Sequence, residues 1–188
     1  VYGKRNSVTL KDTLRRLFED KHSSIRRFST VKLSELSETE ARVHSLTPFE
    51  ARRIYERKWN RGEFQNRFFS LHPVKTEGEV SEKYEDRTYL PRGMATVKAK
   101  ISDASEAFFI PARYRAKDVK VLEGPIVRDI REIATYEGLY ADIASEEEEV
   151  VCRGKLAQVT DRKEGETYSR ILVGSLEASE TDYIIPKP

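Results

Sequence analysis

The sequence predicts an α+β protein in two parts, and three observations carry that prediction. Capping signals and helical apolar spacing dominate the first part, residues 1–87. A polar stretch at 75–87 then separates it from a region where apolar and polar residues alternate, as in Ala95-Thr96-Val97-Lys98-Ala99-Lys100-Ile101. Beyond residue 88 there are strand-like segments in close succession and no convincing long helix, which argues for a small antiparallel β-barrel or sandwich over 88–188.

In the first part, Thr9 is expected to cap a helix over 10–21, whose apolar stripe is Leu10, Leu14, Leu17 and Phe18. Residues 25–36 have strand character in Phe28 and in Val31-Lys32-Leu33. Ser37-Glu38-Thr39-Glu40 reads as a capping box opening a short helix to His44. Thr47-Pro48-Phe49-Glu50 is the best helix start in the chain. Thr47 caps, Pro48 suits the first helical position, and Glu50 reaches back to the amide of the cap. That helix is expected to run to Asn60 and stop near Gly62, with Phe49, Ile54, Tyr55 and Trp59 inward or at an interface. A short strand follows over 67–74, ended or moved to an edge by Pro73.

In the second part, strands are expected at 95–101, 108–115, 130–136, 149–156, 168–173 and 183–185. Asp103-Ala104-Ser105, Glu123-Gly124-Pro125 and Arg162-Lys163-Glu164-Gly165 punctuate them. The acidic run Glu146-Glu147-Glu148-Glu149 reads as a solvated turn before a strand.

Charge is distributed unevenly. Of 188 residues 35% are charged, against a usual share of about 25%. Residues 1–75 hold 17 Lys and Arg against 9 Asp and Glu, a balance of +8; residues 76–188 hold 17 against 23, a balance of −6. A basic half suggests a polyanionic partner. No apolar run approaches the about 18 residues of a membrane span, and no charged start precedes an apolar stretch. The single Cys152 cannot form an internal disulfide, which fits a reducing cytoplasm.

The strongest chemical signal lies in 47–69. Arg52, Arg53, Arg57, Lys58, Arg61 and Arg67 interleave there with Tyr55, Trp59, Phe64, Phe68 and Phe69. Guanidinium groups pair with phosphate oxygens and aromatic faces stack on bases, so these six cations are the candidate phosphate or nucleic-acid ligands. The competing reading is an amphipathic helix with core aromatics and solvated arginines. Ser70 and His72 share a strand face as a conceivable nucleophile–base pair lacking a third member. Asp103 and Glu106 suggest a carboxylate pair for a metal, although carboxylates at such a break usually serve the turn. His22, His44 and His72 lack ligand spacing, and no Gly-rich phosphate loop occurs.

Several stretches together resemble an archaeal family whose members carry a DNA polymerase beta-like nucleotidyltransferase domain. They are Val1-Tyr2-Gly3, Ile101-Ser102-Asp103-Ala104-Ser105-Glu106-Ala107-Phe108-Phe109-Ile110-Pro111-Ala112-Arg113-Tyr114, Tyr136-Glu137-Gly138-Leu139-Tyr140-Ala141-Asp142-Ile143-Ala144, Gly154-Lys155-Leu156, Ile171-Leu172-Val173-Gly174-Ser175 and Asp182-Tyr183-Ile184-Ile185-Pro186. The resemblance implies a Gly-Ser turn followed, about ten residues on, by an Asp-x-Asp strand whose carboxylates hold a divalent metal. On this view Val1-Tyr2-Gly3 is the tail of that strand and the catalytic acids lie upstream.

Residues 1–87 would then be the C-terminal remnant of the nucleotidyltransferase α/β domain, with its basic helix facing a triphosphate or a nucleic-acid acceptor. The magnesium ion and nucleoside triphosphate belong to the complete protein only. This chain holds no catalytic residue and is expected to be inactive alone. The strand that would supply a third carboxylate offers Ser70 and His72 but no acid. The acidic β part suits protein interaction or self-association better than phosphate tracking. The alternative function is a non-enzymatic nucleic-acid-binding or protein-interaction module.

Overall fold

The computed structural model describes residues 2–44, 46–83, 85–174 and 181–187. Val1 and Ser175, both part of the family resemblance, lie outside the described residues. The described residues form an α+β fold with three α-helices, two short 3-10 turns, a three-stranded sheet and a six-stranded mixed sheet.

Helix α1 (Lys4–Glu19) starts well before the expected cap at Thr9. Gly3, at φ 88°, turns the chain into it, and the amide of Lys4 donates to Glu79 Oε1 at 2.9 Å. The cap therefore comes from a distant segment, while Thr9 Oγ1 bonds back to the Arg5 carbonyl from inside the helix. Strand β1 (Ile25–Arg26) is all that remains of the strand expected over 25–36. Helix α2 (Thr30–Val43) replaces the rest, capped by Ser29 Oγ, which accepts from the Lys32 amide. Ser37 and Thr39 do not cap a separate helix. Each sits inside α2 and bonds back to the carbonyl four residues earlier.

Helix α3 (Pro48–Arg57) has the expected reciprocal capping box between Thr47 and Glu50. It ends at Arg57, short of Asn60. Strands β2 (Arg61–Phe64) and β3 (Arg67–Ser70) form a hairpin about Gln65-Asn66, both at positive φ as a tight two-residue turn requires. Gly62 is obligatory there: a Cβ would lie 2.6 Å from the Arg26 carbonyl oxygen and 2.9 Å from the Phe18 ring.

The large sheet contains β4 (Arg87–Glu106), β5 (Ala112–Glu123), β6 (Ile130–Thr135), β7 (Glu149–Asp161), β8 (Glu166–Val173) and β9 (Tyr183–Pro186). Its order is β4-β5-β6-β8-β7-β9, and β4 also pairs with β7. The expected purely antiparallel arrangement is corrected by β6 and β8, which run parallel. The expected strand at 108–115 begins only at Ala112; Phe108 and Phe109 belong to the turn before it and are buried there.

Strand β7 pairs with β4 along one edge. Along the other it pairs with β9 over 150–153 and with β8 over 155–161. Gly154 stands at the change of partner, where a Cβ would come within 2.4 Å of the Leu172 carbonyl oxygen.

Two apolar clusters draw on both sides of residue 87. The larger joins Val97, Ile101, Tyr114, Ile133, Leu156 and Ile171 of the sheet to Ala51, Ile54 and Tyr55 of α3. The smaller joins Leu14 and Trp59 to Phe108 and Phe109. No helix among the described residues is long and apolar enough to cross a membrane.

Replacing Gly154 by Ala should cost about 1–3 kcal/mol, because the Leu172 carbonyl must move out of its ladder position. Urea unfolding of the variant measures this, and an unchanged midpoint would mean that the two strands separate without penalty there.

Candidate functional site

The basic stretch does not form one surface. At the end of α3 the chain leaves the helix and lays three consecutive side chains on the segment between β6 and β7. The Arg57 guanidinium donates to the Ile143 carbonyl at 2.9 Å and pairs with the Glu148 carboxylate at 2.7 Å. Lys58 Nζ donates to the carbonyls of Gly138 and Ala141, at 2.6 and 2.5 Å. The Trp59 indole N–H donates to Asp142, whose carboxylate also meets Lys11 Nζ at 2.6 Å. Asn60 completes the run by exchanging hydrogen bonds with Leu71 across its own hairpin.

Of the other predicted ligands, Arg61 Nη1 donates to the Tyr55 hydroxyl at 3.3 Å, and Tyr55 in turn donates to Glu40 at 2.8 Å. Glu40 also holds His44 at 3.1 Å. That contact raises the His44 pKa and lowers that of Glu40, so the two stay charged together between their ordinary values. Arg52 pairs with Glu56 one turn on, Arg53 lies over the Phe49 ring, and Arg67 is exposed at the far end of the hairpin. Arg57, Lys58 and Arg61 are thus engaged internally, while Arg52, Arg53 and Arg67 stay at or near the surface. No partner distances for these roles could be read from the local pattern, because Ile143, Gly138 and Glu148 lie far along the chain.

Lys58 is 3% exposed. Burial, reinforced by the nearby Arg61 charge, pushes its pKa down to about 7. A lysine of that kind is chemically a nucleophile or base. Here its amine is enclosed by backbone carbonyls, so the arrangement performs a clamp.

Ser70 Oγ and His72 Nε2 lie 3.2 Å apart on an exposed strand end, without the third group that would activate them. The break expected at Asp103-Ala104-Ser105 is instead an irregular stretch of β4, where Asp103 accepts the Ser105 amide, and Glu106 is paired with Lys4 and Lys75. Sequence reading did not anticipate the groove of 1540 Å³ beside this region, lined among others by His72, Lys75, Glu79, Arg87, Glu106 and Arg113. Among the described residues, no group of three or more His, Cys, Asp or Glu is placed to hold a metal ion. These donors do not fit the divalent metal that a nucleotidyltransferase uses.

Fold and site together define an α+β protein whose basic helix serves first to join a helical part to a sheet. The chain is similar to the uncharacterized protein MJ1086 of Methanocaldococcus jannaschii, with 32% identity over 192 aligned positions. The match covers 98% of this chain and 52% of the relative, so the chain spans about half the length of the curated relative it matches. No family model matches the chain, and no solved structure does.

Arg57→Ala should destabilise the fold by about 1–2 kcal/mol, since the Ile143 carbonyl loses this donor and the Glu148 carboxylate is left with the Ser145 amide. Arg52→Ala should stay within about 0.5 kcal/mol. Chemical denaturation separates the two, and equal effects would show that the helix end is not a clamp.

Lys58 gives a pH signature. Its folded pKa of about 7 lies below the ordinary 10.5, so between those values the unfolded chain binds the proton more tightly. Wild type should therefore gain stability relative to Lys58→Met as pH rises from about 7 towards 10.5, and keep its full penalty below 7. A difference that is flat across this window would rule out the lowered pKa.

Proposed function

We propose that this chain is the C-terminal, non-catalytic part of a longer nucleotidyltransferase-like protein. The observation that carries the reading is the bridge between Tyr2 and Val74. These residues pair in parallel, the Gly3 amide donates to the Val74 carbonyl at 2.8 Å, and α1 follows at once. A strand tail running parallel to the extension of β3 and turning into a helix is what the family resemblance implies for Val1-Tyr2-Gly3. A relative about twice as long, matched over half its length, supports it.

In this reading residues 1–87 complete the transferase domain. Residues 88–188 form a barrel: the circuit β4-β5-β6-β8-β7 returns to β4, which supports closure of the sheet. Magnesium and the nucleoside triphosphate are held by the complete protein, in the cytoplasm, where the buried Cys152 stays a free thiol. The β part contributes packing and a surface for a protein partner or self-association. The surface cations Arg52, Arg53 and Arg67 are the ones left to meet a nucleotide or nucleic acid.

The complete protein, assayed with magnesium and each nucleoside triphosphate, should transfer nucleotide, and this chain alone should transfer none. Robust incorporation by the purified chain would overturn the proposal. So would a complete protein without a Gly-Ser turn and an Asp-x-Asp strand ahead of Val1.

A further inference from the structure

We infer that the β2–β3 hairpin is a binding surface for single-stranded nucleic acid. The inference goes beyond the transferase reading and does not depend on it, because it concerns binding by this chain alone.

The hairpin's near end is anchored. Phe69 stacks on Phe18 of α1 at 6.4 Å, and Gly62 fits against the same ring. Its far end is not. Directly cross-strand residues share a face, so Phe64 and Arg67 lie on one face with Ile25, and Phe68 lies on the other with Glu63 and Arg26. Phe64 is 45% exposed and Phe68 60%. Two large aromatic side chains therefore stand exposed near the tip of one short hairpin. One ring on each face of the tip offers bases a stacking platform from either side.

Cations surround these rings. Lys32 Nζ lies 5.0 Å from the centre of the Phe68 ring, whose edge meets Phe28 at 5.5 Å. Arg26 and Arg67 are exposed and form no ion pair among the described residues. Arg27 lies over Phe18 and donates to the Glu56 carbonyl, adding charge without a carboxylate partner. Acids nearby include Glu63, opposite Phe68, Glu35, which holds Lys32 at 3.0 Å, and Glu56, whose carboxylate is held by Arg52 at 2.9 Å. Positive charge therefore prevails around exposed rings, which is the combination that binds a phosphate backbone with splayed bases. An acidic protein surface would use the cations but gain little from ring faces.

The test is binding of a fluorescein-labelled oligothymidylate by fluorescence anisotropy over a range of salt, with melting temperature measured for every variant. Wild type should bind, with affinity falling steeply as salt rises. Phe68→Leu keeps the packing on Phe28 but removes the stacking face; it should weaken binding about tenfold, and Phe68→Tyr should restore it. Phe64→Leu should act similarly. Replacing Arg26 and Arg67 together by Gln should lower the salt slope by about 1.4, the value for two single-strand phosphates. Absence of wild-type binding at low salt would overturn the proposal. So would binding that responds to the arginines yet ignores both phenylalanines, which would leave only an unspecific polyanion surface or an acidic protein as partner.

Discussion

The contact on which the rest of the molecule depends is the clamp of Arg57, Lys58 and Trp59 on the segment between β6 and β7. Three successive residues satisfy three carbonyls and two carboxylates of one irregular stretch, residues 138–148. That stretch has no ladder of its own, so its buried carbonyls would otherwise be unpaired, at a cost of about 1–3 kcal/mol each. The clamp also fixes which side of the sheet α3 covers, and with it the placement of Ile54 and Tyr55 in the shared core. Below it, Tyr114 reinforces the same stretch from the opposite side. Its hydroxyl donates to the Tyr140 carbonyl and accepts the Ile143 amide. The turn is gripped by a helix end above and a strand below.

This clamp accounts for part of the charge split along the chain. Lys4 and Lys75 pair with Glu106, Lys11 with Asp142, and Arg57 with Glu148. In each pair the cation comes from the basic half and the acid from the acidic half. A segregated charge pattern can therefore encode the recognition of one part of a chain by another, and need not signal an external polyanion. The cations that escape this pairing carry more functional information than the sum. Arg26 and Arg67 are of that kind, and they stand beside exposed rings.

What could be read from the sequence was what is settled locally. Helix α3 is specified within four residues, Thr47 to Glu50, and its start is where it was expected. Strands β6, β8 and β9 are short alternating or apolar runs, and their positions were legible for the same reason. Elements settled by distant partners were misread. The start of α1 depends on Glu79, and β2 depends on the Phe18 ring and the Arg26 carbonyl accepting a glycine at 62. Helix α2 was obscured by Ser37 and Thr39, which look like caps until their hydroxyls bond back along the helix. The parallel pairing of β6 with β8 has no local signature, since β7 lies between them in sequence.

The candidate site divides along the same line. Residue type placed six cations in one stretch, but exposure decides which of them are available, and exposure is set by the fold. Arg57 ends α3 and Lys58 follows it directly into the junction, where the lysine is desolvated enough to lose its proton near neutrality. Arg67 lies only a few residues on, yet the Gln65-Asn66 turn carries it away from the core. Arginine and lysine spacing alone does not distinguish those outcomes. The aromatic residues do. Trp59 and Tyr55 are buried beside the engaged cations, whereas Phe64 and Phe68 remain exposed beside the unpaired ones. Exposed rings next to unpaired guanidinium groups are therefore what the proposed binding surface rests on, and they place that proposal on the hairpin instead of the helix.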